Sequence, residues 1–365
     1  MPPELIGIGR RLIQRFRPPR PVQRISFNNL SWHAEQAALA RSVGDLRSMR
    51  ESANKMERFG YYKEAWRTFH QISALENPGS GQPWRGPRHR GEGVFVQRRL
   101  RDLGDELRQV HLAALAVQEV PVVVVLTEER LVPLFERSFP AVRFISEISQ
   151  IDLKLRMPVT SYEQLAYFYG RDEESIRNGF LPLTPPPSPQ TERRGLGISW
   201  YSKAMYKNLP DLDDWAEVLR TVQGRIQSLQ YRERAAGRTM LAQRSGRPIR
   251  TSRPVNQFLD LDGYAGQIAS VRRVLTISNT TAHLAGALGI PCVVVLDDES
   301  VTTWPDHQER SPFYPNTRLI RRRGRDWQAT LREGLELLQT IEVKPGTMRP
   351  LSLIHISEPT RRRGS

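Results

Sequence analysis

The spacing of apolar positions changes along the chain. Between residues 31 and 80 it is helical: Ala53, Met56, Tyr62, Ala65, Trp66, Phe69 and Ile72 fall near one face, with Gly60 interrupting and Pro78 closing the run. Small Ala65 permits close helix approach, and Trp66 and Phe69 fill the groove beside it. A Gly-, Pro- and Arg-rich loop (77–93) follows, after which branched runs alternate with helical stretches. "GVFVQ", "VPVVVVL" and "VRFIS" read as strands, "LRDLGDELRQVHLAALA", "LVPLFERSF" and "SYEQLAYFYG" as helices. A second series has "LGISW", "IQSLQY", "RVLTIS", "PCVVVL" and "TRLIRR" as strands. Its helices are "LDDWAEVLRTV", "YAGQIASV", "TAHLAGALG" and "DWQATLREGLELLQ".

Strands alternating with helices predict an α/β fold of two Rossmann-like, doubly wound parallel-sheet domains behind a short helical segment. The expected boundaries are a basic amino segment (1–30), the helical hairpin (31–80), a first sheet domain (90–182), a Pro-rich linker (183–195) and a second sheet domain (196–343). Prolines 185, 186, 187 and 189, with Pro182 just ahead of them, make the linker stiff. In doubly wound sheets ligands bind beyond the carboxyl ends of the strands. Chemistry is therefore expected in the loops after residues 97, 200, 230 and 277.

The formal charge of +15 invites a nucleic-acid reading, but its distribution argues against a specific one. Residues 1–24 hold six arginines against one glutamate and 351–365 three against one, together 7 of the 15 excess charges. Neither zinc-finger spacing nor an aromatic RNA-binding signature is present. Leu5, Ile8, Leu12 and Phe16 share a helical face with arginines largely opposite. Residues 4–17 thus suit contact with an anionic membrane surface, or equally docking on the protein itself. No 18-residue apolar run or signal peptide is seen, and the single Cys292 sits in an apolar run. The expected setting is cytoplasmic, with membrane association left open.

The polar turn "SNTT" at 278–281 opens a small-residue helix directly after a strand. First-turn amides lack intrahelical partners and carry the positive end of the helix dipole. A phosphate satisfies them, with the hydroxyls of Ser278, Thr280 and Thr281 adding hydrogen bonds and Asn279 in the same turn. Simple capping is the competing reading, but four such residues exceed what one cap requires. His283, one turn in, suits a satisfied core histidine as well as a ligand contact. No metal-ligand cluster stands out, and Asp297 and Asp298 read as a solvated loop.

These blocks carry a resemblance. "SNTTAHLAGALGIPCVVVL" followed by "SPFYPNTRLIRR" resembles the carboxyl half of bacterial glycosyltransferases related to the ADP-heptose transferase family (glycosyltransferase family 9-like). The likeness extends back through "GISWYSKAMYKNLP", "IQSLQY", Met157-Pro158 and "DLGDELRQ", over roughly residues 50–340. "YYKEAW…QPWRG" resembles a tetratricopeptide (TPR) unit, as in members carrying such repeats ahead of the catalytic part. The resemblance implies a GT-B architecture and transfer of a sugar from a nucleotide diphosphate to a glycan or protein hydroxyl. With no metal-ligand cluster apparent in the sequence, the transfer is expected to be metal-independent. The nucleotide sugar would be a substrate, and no cofactor is implied.

Carried over by motif, Asp105 is the general base in a turn shared with Gly104, and Lys207 or Lys203 faces the donor phosphates. Gln230 is expected at the base or ribose, and Ser278 to His283 at the diphosphate. Two departures stand out: Asp102 replaces the turn's usual first glycine, and Ser278 the usual acid of the donor motif. A non-catalytic TPR scaffold or nucleotide-binding protein, meeting a protein partner through its helices, is the alternative. The tail "LSLIHISEPTRRRGS" (351–365) resembles a translated sequencing adapter and is set aside.

Overall fold

The computed structural model describes residues 30–76, 84–87, 93–98, 102–151, 157–188, 192–204, 207–231, 235–251, 255–298, 304–306, 308–343 and 346–347. The basic amino segment, bar its last residue, and the 351–365 tail lie outside them. Helices α1 (Leu30–Ser42), α2 (Leu46–Arg58) and α3 (Tyr62–Glu76) come first. Asp45 caps α2 by accepting from the Ser48 amide, and Gly60 makes the α2–α3 turn at φ 82°, where a side chain would be strained. Met49, Met56, Trp66 and Ile72 are buried, so the three helices have an apolar interior.

The first sheet is parallel, in the order β3 (Arg143–Ile145), β2 (Val123–Leu126), β1 (Val94–Gln97), β4 (Val159–Ser161). Helix α4 (Leu103–Ala116) connects β1 to β2, and α5 (Val132–Ser138) connects β2 to β3; α6 (Tyr162–Tyr169) and α7 (Glu173–Asn178) follow β4. The branched residues of β2 are buried, as befits a parallel strand covered on both faces. Asp102 stands at the N-cap of α4 without a side-chain cap bond, and Asp105 and Glu106 occupy the first turn.

The second sheet has six parallel strands. Their order is β10 (Thr317–Arg321), β9 (Cys292–Leu296), β8 (Arg273–Ile277), β5 (Leu196–Ser199), β6 (Ile226–Ser228) and β7 (Ile249–Arg250). Helices α8 (Leu212–Leu219), α9 (Ala235–Ser245), α10 (Leu261–Ala269), α11 (Thr280–Ala287) and α12 (Trp327–Gln339) accompany it. Both sheets are thus parallel and helix-covered, as the alternating pattern predicts.

Strands β4 and β7 and helices α7 and α9 escape the sequence pattern. The two strands have three and two residues and α7 has six, too few to repeat a period. The proline stretch does not stand free along its first half. Pro182, Leu183, Thr184 and Pro185 are buried. The Leu183 amide donates to Ala287 O at 2.8 Å, the Thr184 amide to Ser138 Oγ at 2.9 Å. Backbone groups there are satisfied by α5 on one side and the end of α11 on the other.

The helical segment is docked on both sheet units. α3 packs against α6. Arg58 at the end of α2 pairs with Asp306 at 2.6 Å, and Tyr62 meets the Phe313 ring edge-on at 5.8 Å between centroids.

Candidate active site

A cleft of about 460 Å³ opens between the two sheets. Its walls come from the loops after β1, β5, β6 and β8: Asp102 to Asp105, Ser202 to Ala204 with Lys207, Tyr231, and Ser278 to Thr280 with His283. The carboxyl ends of the strands therefore converge on one space, with the amino ends of α4 and α11 facing it. The amino end of α11, beside Lys203 and Lys207, makes a setting for an anion, whereas the amino end of α4 carries Asp102, Asp105 and Glu106.

The α11 side is the more rigid. Asn279 caps the helix through Oδ1, which accepts from the Ala282 amide at 3.3 Å, and its Nδ2 donates to Ser199 Oγ at 2.8 Å. This one side chain ties β5 to α11. Ser278 Oγ accepts from Trp304 Nε1 at 2.9 Å, and its carbonyl accepts from Lys207 Nζ at 2.7 Å. Lys207 is partly buried, which lowers its pKa, while Asp102 opposes the shift. His283 stacks on Trp304 at 4.7 Å and shares a 3.0 Å hydrogen bond through Nδ1 with the Tyr314 hydroxyl. Burial, with Arg108 and Lys207 adding to it, lowers its pKa to about 3, so the ring is neutral near pH 7.

On the α4 side, Asp105 keeps 28% of its side chain exposed. Burial raises its pKa; Asp102 adds to this, and Arg108, donating to Oδ1 at 3.2 Å, offsets it. The neighbouring Glu106 is fully buried and receives Arg98 Nε at 2.6 Å, Thr127 Oγ1 at 2.5 Å and the Glu128 amide at 3.2 Å. These bonds fix the first turn of α4 to the end of β2, and thereby the direction of Asp105. At the cleft mouth Arg130 lies 4.8 Å over the exposed Phe258 ring and donates to the Phe258 carbonyl.

The structure brings Asp105, Gly104, Lys203, Lys207, Ser278, Asn279, Thr280 and His283 together around the cleft. Gln230 and Thr281, expected as ligand contacts, do not line it. Gln230 Oε1 accepts from Ser199 Oγ and the amides of Trp200 and Tyr201, and its Nε2 donates to the carbonyls of Tyr201 and Tyr231. It clamps the end of β5 to the end of β6, with no hydrogen-bonding capacity left for a ribose. Thr281 is fully buried against the Tyr264 hydroxyl at 2.5 Å. Asp297 and Asp298 hold the β10–α12 turn through Arg322 and the Gly324 amide.

Supporting residues that sequence reasoning missed are Trp304, Arg108, Glu106 and Glu57. Tyr314 lies inside the "SPFYPN" block that carries the resemblance.

No protein-family model matches the chain. Protein FlbA of Caulobacter vibrioides is 26% identical over 269 residues, covering 65% of this chain and 44% of FlbA. The chain thus spans less than half the length of that relative. Among solved structures, the Escherichia coli ADP-heptose LPS heptosyltransferase II aligns with a TM-score of 0.47 at 15% identity, over 68% of this chain and 98% of that one. The E. coli heptosyltransferase WaaC with ADP gives 0.46 at 14%, over 68% and 100%. A glycosyltransferase family 9 protein from Veillonella parvula gives 0.45 at 12%, over 73% and 94%. Among the described residues no helix is long and apolar enough to cross a membrane.

Proposed function

We propose that the chain is a glycosyltransferase that moves a sugar from a nucleotide diphosphate to an acceptor hydroxyl of a glycan or protein, with Asp105 as the base. The observation that carries this reading is the meeting of two unlike helix N-termini at one cleft. That of α11 presents amides, Ser278, Thr280 and Lys207; that of α4 presents a partly exposed carboxylate. The first suits a diphosphate, the second the proton of an incoming hydroxyl.

In the proposed step the acceptor oxygen attacks the anomeric carbon as its proton passes to the Asp105 carboxylate. The bond from the anomeric carbon to the diphosphate oxygen breaks, and the departing nucleoside diphosphate keeps the electron pair. Lys207 and the α11 amides offset the charge that builds there. Neutral His283, held by Trp304 and Tyr314, shapes the wall without adding charge.

Calorimetry with a panel of UDP-, GDP- and ADP-sugars tests the reading. At least one donor binds with micromolar affinity, and Lys207→Ala weakens it tenfold or more. No binding across the panel contradicts the proposal. Ser278 at the usual acid's position keeps the non-catalytic reading in view, and that reading expects donor binding without turnover.

A further inference from the structure

We infer that Glu57, on helix α2 of the amino-terminal helical segment, is a positioning residue for Asp105 and acts through Arg108. The inference rests on Asp105 being the base of the proposed transfer.

Arg108 lies one helical turn beyond Asp105 on α4, and its side chain is only 5% exposed. One terminal nitrogen, Nη1, is bound by the buried carboxylate of Glu57, and the other, Nη2, reaches Asp105 Oδ1 at 3.2 Å. The guanidinium carbon sits 4.6 Å from the centroid of Phe313, a residue of the second sheet unit that in turn meets Tyr62 of α3. Three parts of the molecule therefore grip one planar cation: the helical segment, the first turns of α4, and the loop before β10.

The division of the fork is what matters chemically. A guanidinium free to turn binds a carboxylate through two parallel bonds, and a carboxylate held that way is a poor base. Glu57 occupies the other arm, so Asp105 receives a single long bond and keeps part of its surface open to the cleft. Burial opposes the charge on Arg108, but Glu57 and Asp105 outweigh it and make Arg108 more basic than an ordinary arginine. Its charge therefore persists across the working pH range. The ionisable groups facing Asp105 are Asp102, Arg108, Tyr314 and Glu57 itself; those facing Glu57 are Arg108, Asp105, Glu163 and Tyr62. Lys207 and His283 lie on the opposite wall of the cleft.

The test is a carbon-13 NMR titration of aspartate carboxyls in the full chain, with Asp105 assigned by the signal lost in Asp105→Asn. Glu57→Gln removes the charge that competes for Arg108 and repels Asp105, leaving only a neutral acceptor on Nη1, and lowers the Asp105 titration midpoint by about one pH unit or more. Glu57→Gln combined with Arg108→Met removes both charges and moves the midpoint above the wild-type value. The acid limb of the kcat/KM profile for transfer follows each shift, while donor KM holds.

If Glu57→Gln does not fold, the double variant carries the test, and an unchanged midpoint there overturns the inference. A lowered Tm in Glu57→Gln with an unmoved Asp105 signal makes Glu57 merely structural and also overturns it. Shifted midpoints in a chain whose wild type transfers no sugar overturn the transferase reading, and with it the base to be positioned. The coupling of Glu57 to Asp105 would still stand as measured.

Discussion

Gly104 lies so close to the ring of His283 that a methyl carbon on it would come within 2.6 Å of Cδ2 and 2.8 Å of Nε2. Glycine at this position lets the first turn of α4 meet α11 across the cleft. The ring has no room to withdraw, since Trp304 stacks on it and the Tyr314 hydroxyl bonds it. Gly104→Ala therefore forces the two helix ends apart. A loss of about 1–3 kcal/mol is expected for such overpacking, together with weaker donor binding. Calorimetric melting and donor titration check both; an unchanged affinity would show that the helix ends need not meet.

Glu106 is predicted to matter for stability more than any exposed carboxylate of α4. Its buried oxygens collect Arg98, Thr127 and the Glu128 amide. Glu106→Ala leaves these donors without their partner and is expected to cost about 3 kcal/mol, with transfer falling as Asp105 loses its aim. Urea unfolding measures the first effect, and a change under about 1 kcal/mol would argue that the cluster is solvated.

Gln230 separates a clamp from a ligand contact. Gln230→Ala strands the amides of Trp200 and Tyr201, at about 1–3 kcal/mol. As a clamp it should weaken binding of every nucleotide by the same factor. A loss confined to one base or sugar, read by calorimetry, would restore Gln230 to the ligand's surroundings.

Two buried histidines should make the fold acid-sensitive. Burial lowers His111 to about 4, and His283 falls to about 3. Between those values and the ordinary 6.5, the unfolded chain binds protons that the folded chain does not. Stability is thus present above pH 6.5 and lost as the pH falls, by about 2 kcal/mol per histidine at pH 5. Urea midpoints at pH 7 and 5 for the wild type and the His111→Gln and His283→Gln variants test this. An identical pH slope in all three would contradict it.

Much of the architecture is written in local pattern. The branched run of β2, the small-residue helix α11 and the alternation around them are visible because burial on both faces requires continuous apolar stretches. The polar turn from Ser278 to Thr280 stands out in the sequence because its hydroxyls exceed what one cap needs, and the fold puts it on the cleft wall. Thr281 and Gln230 resemble their neighbours in chemistry, and only the fold reveals that Tyr264 and the β5 exit already engage them. The Glu57–Arg108 pair spans 51 positions between separate units, so no periodicity connects it. Trp304 is likewise apart from His283 in sequence, yet stacks on it.

The central claim is that Asp105 takes the proton of the acceptor while the α11 side holds the donor. It is tested most directly by measuring donor binding and sugar transfer side by side in the wild type and Asp105→Asn. The account predicts donor affinity within about twofold of wild type and transfer lower by a hundredfold or more in the variant. Transfer that survives the substitution, or donor affinity lost along with it, would contradict the assignment.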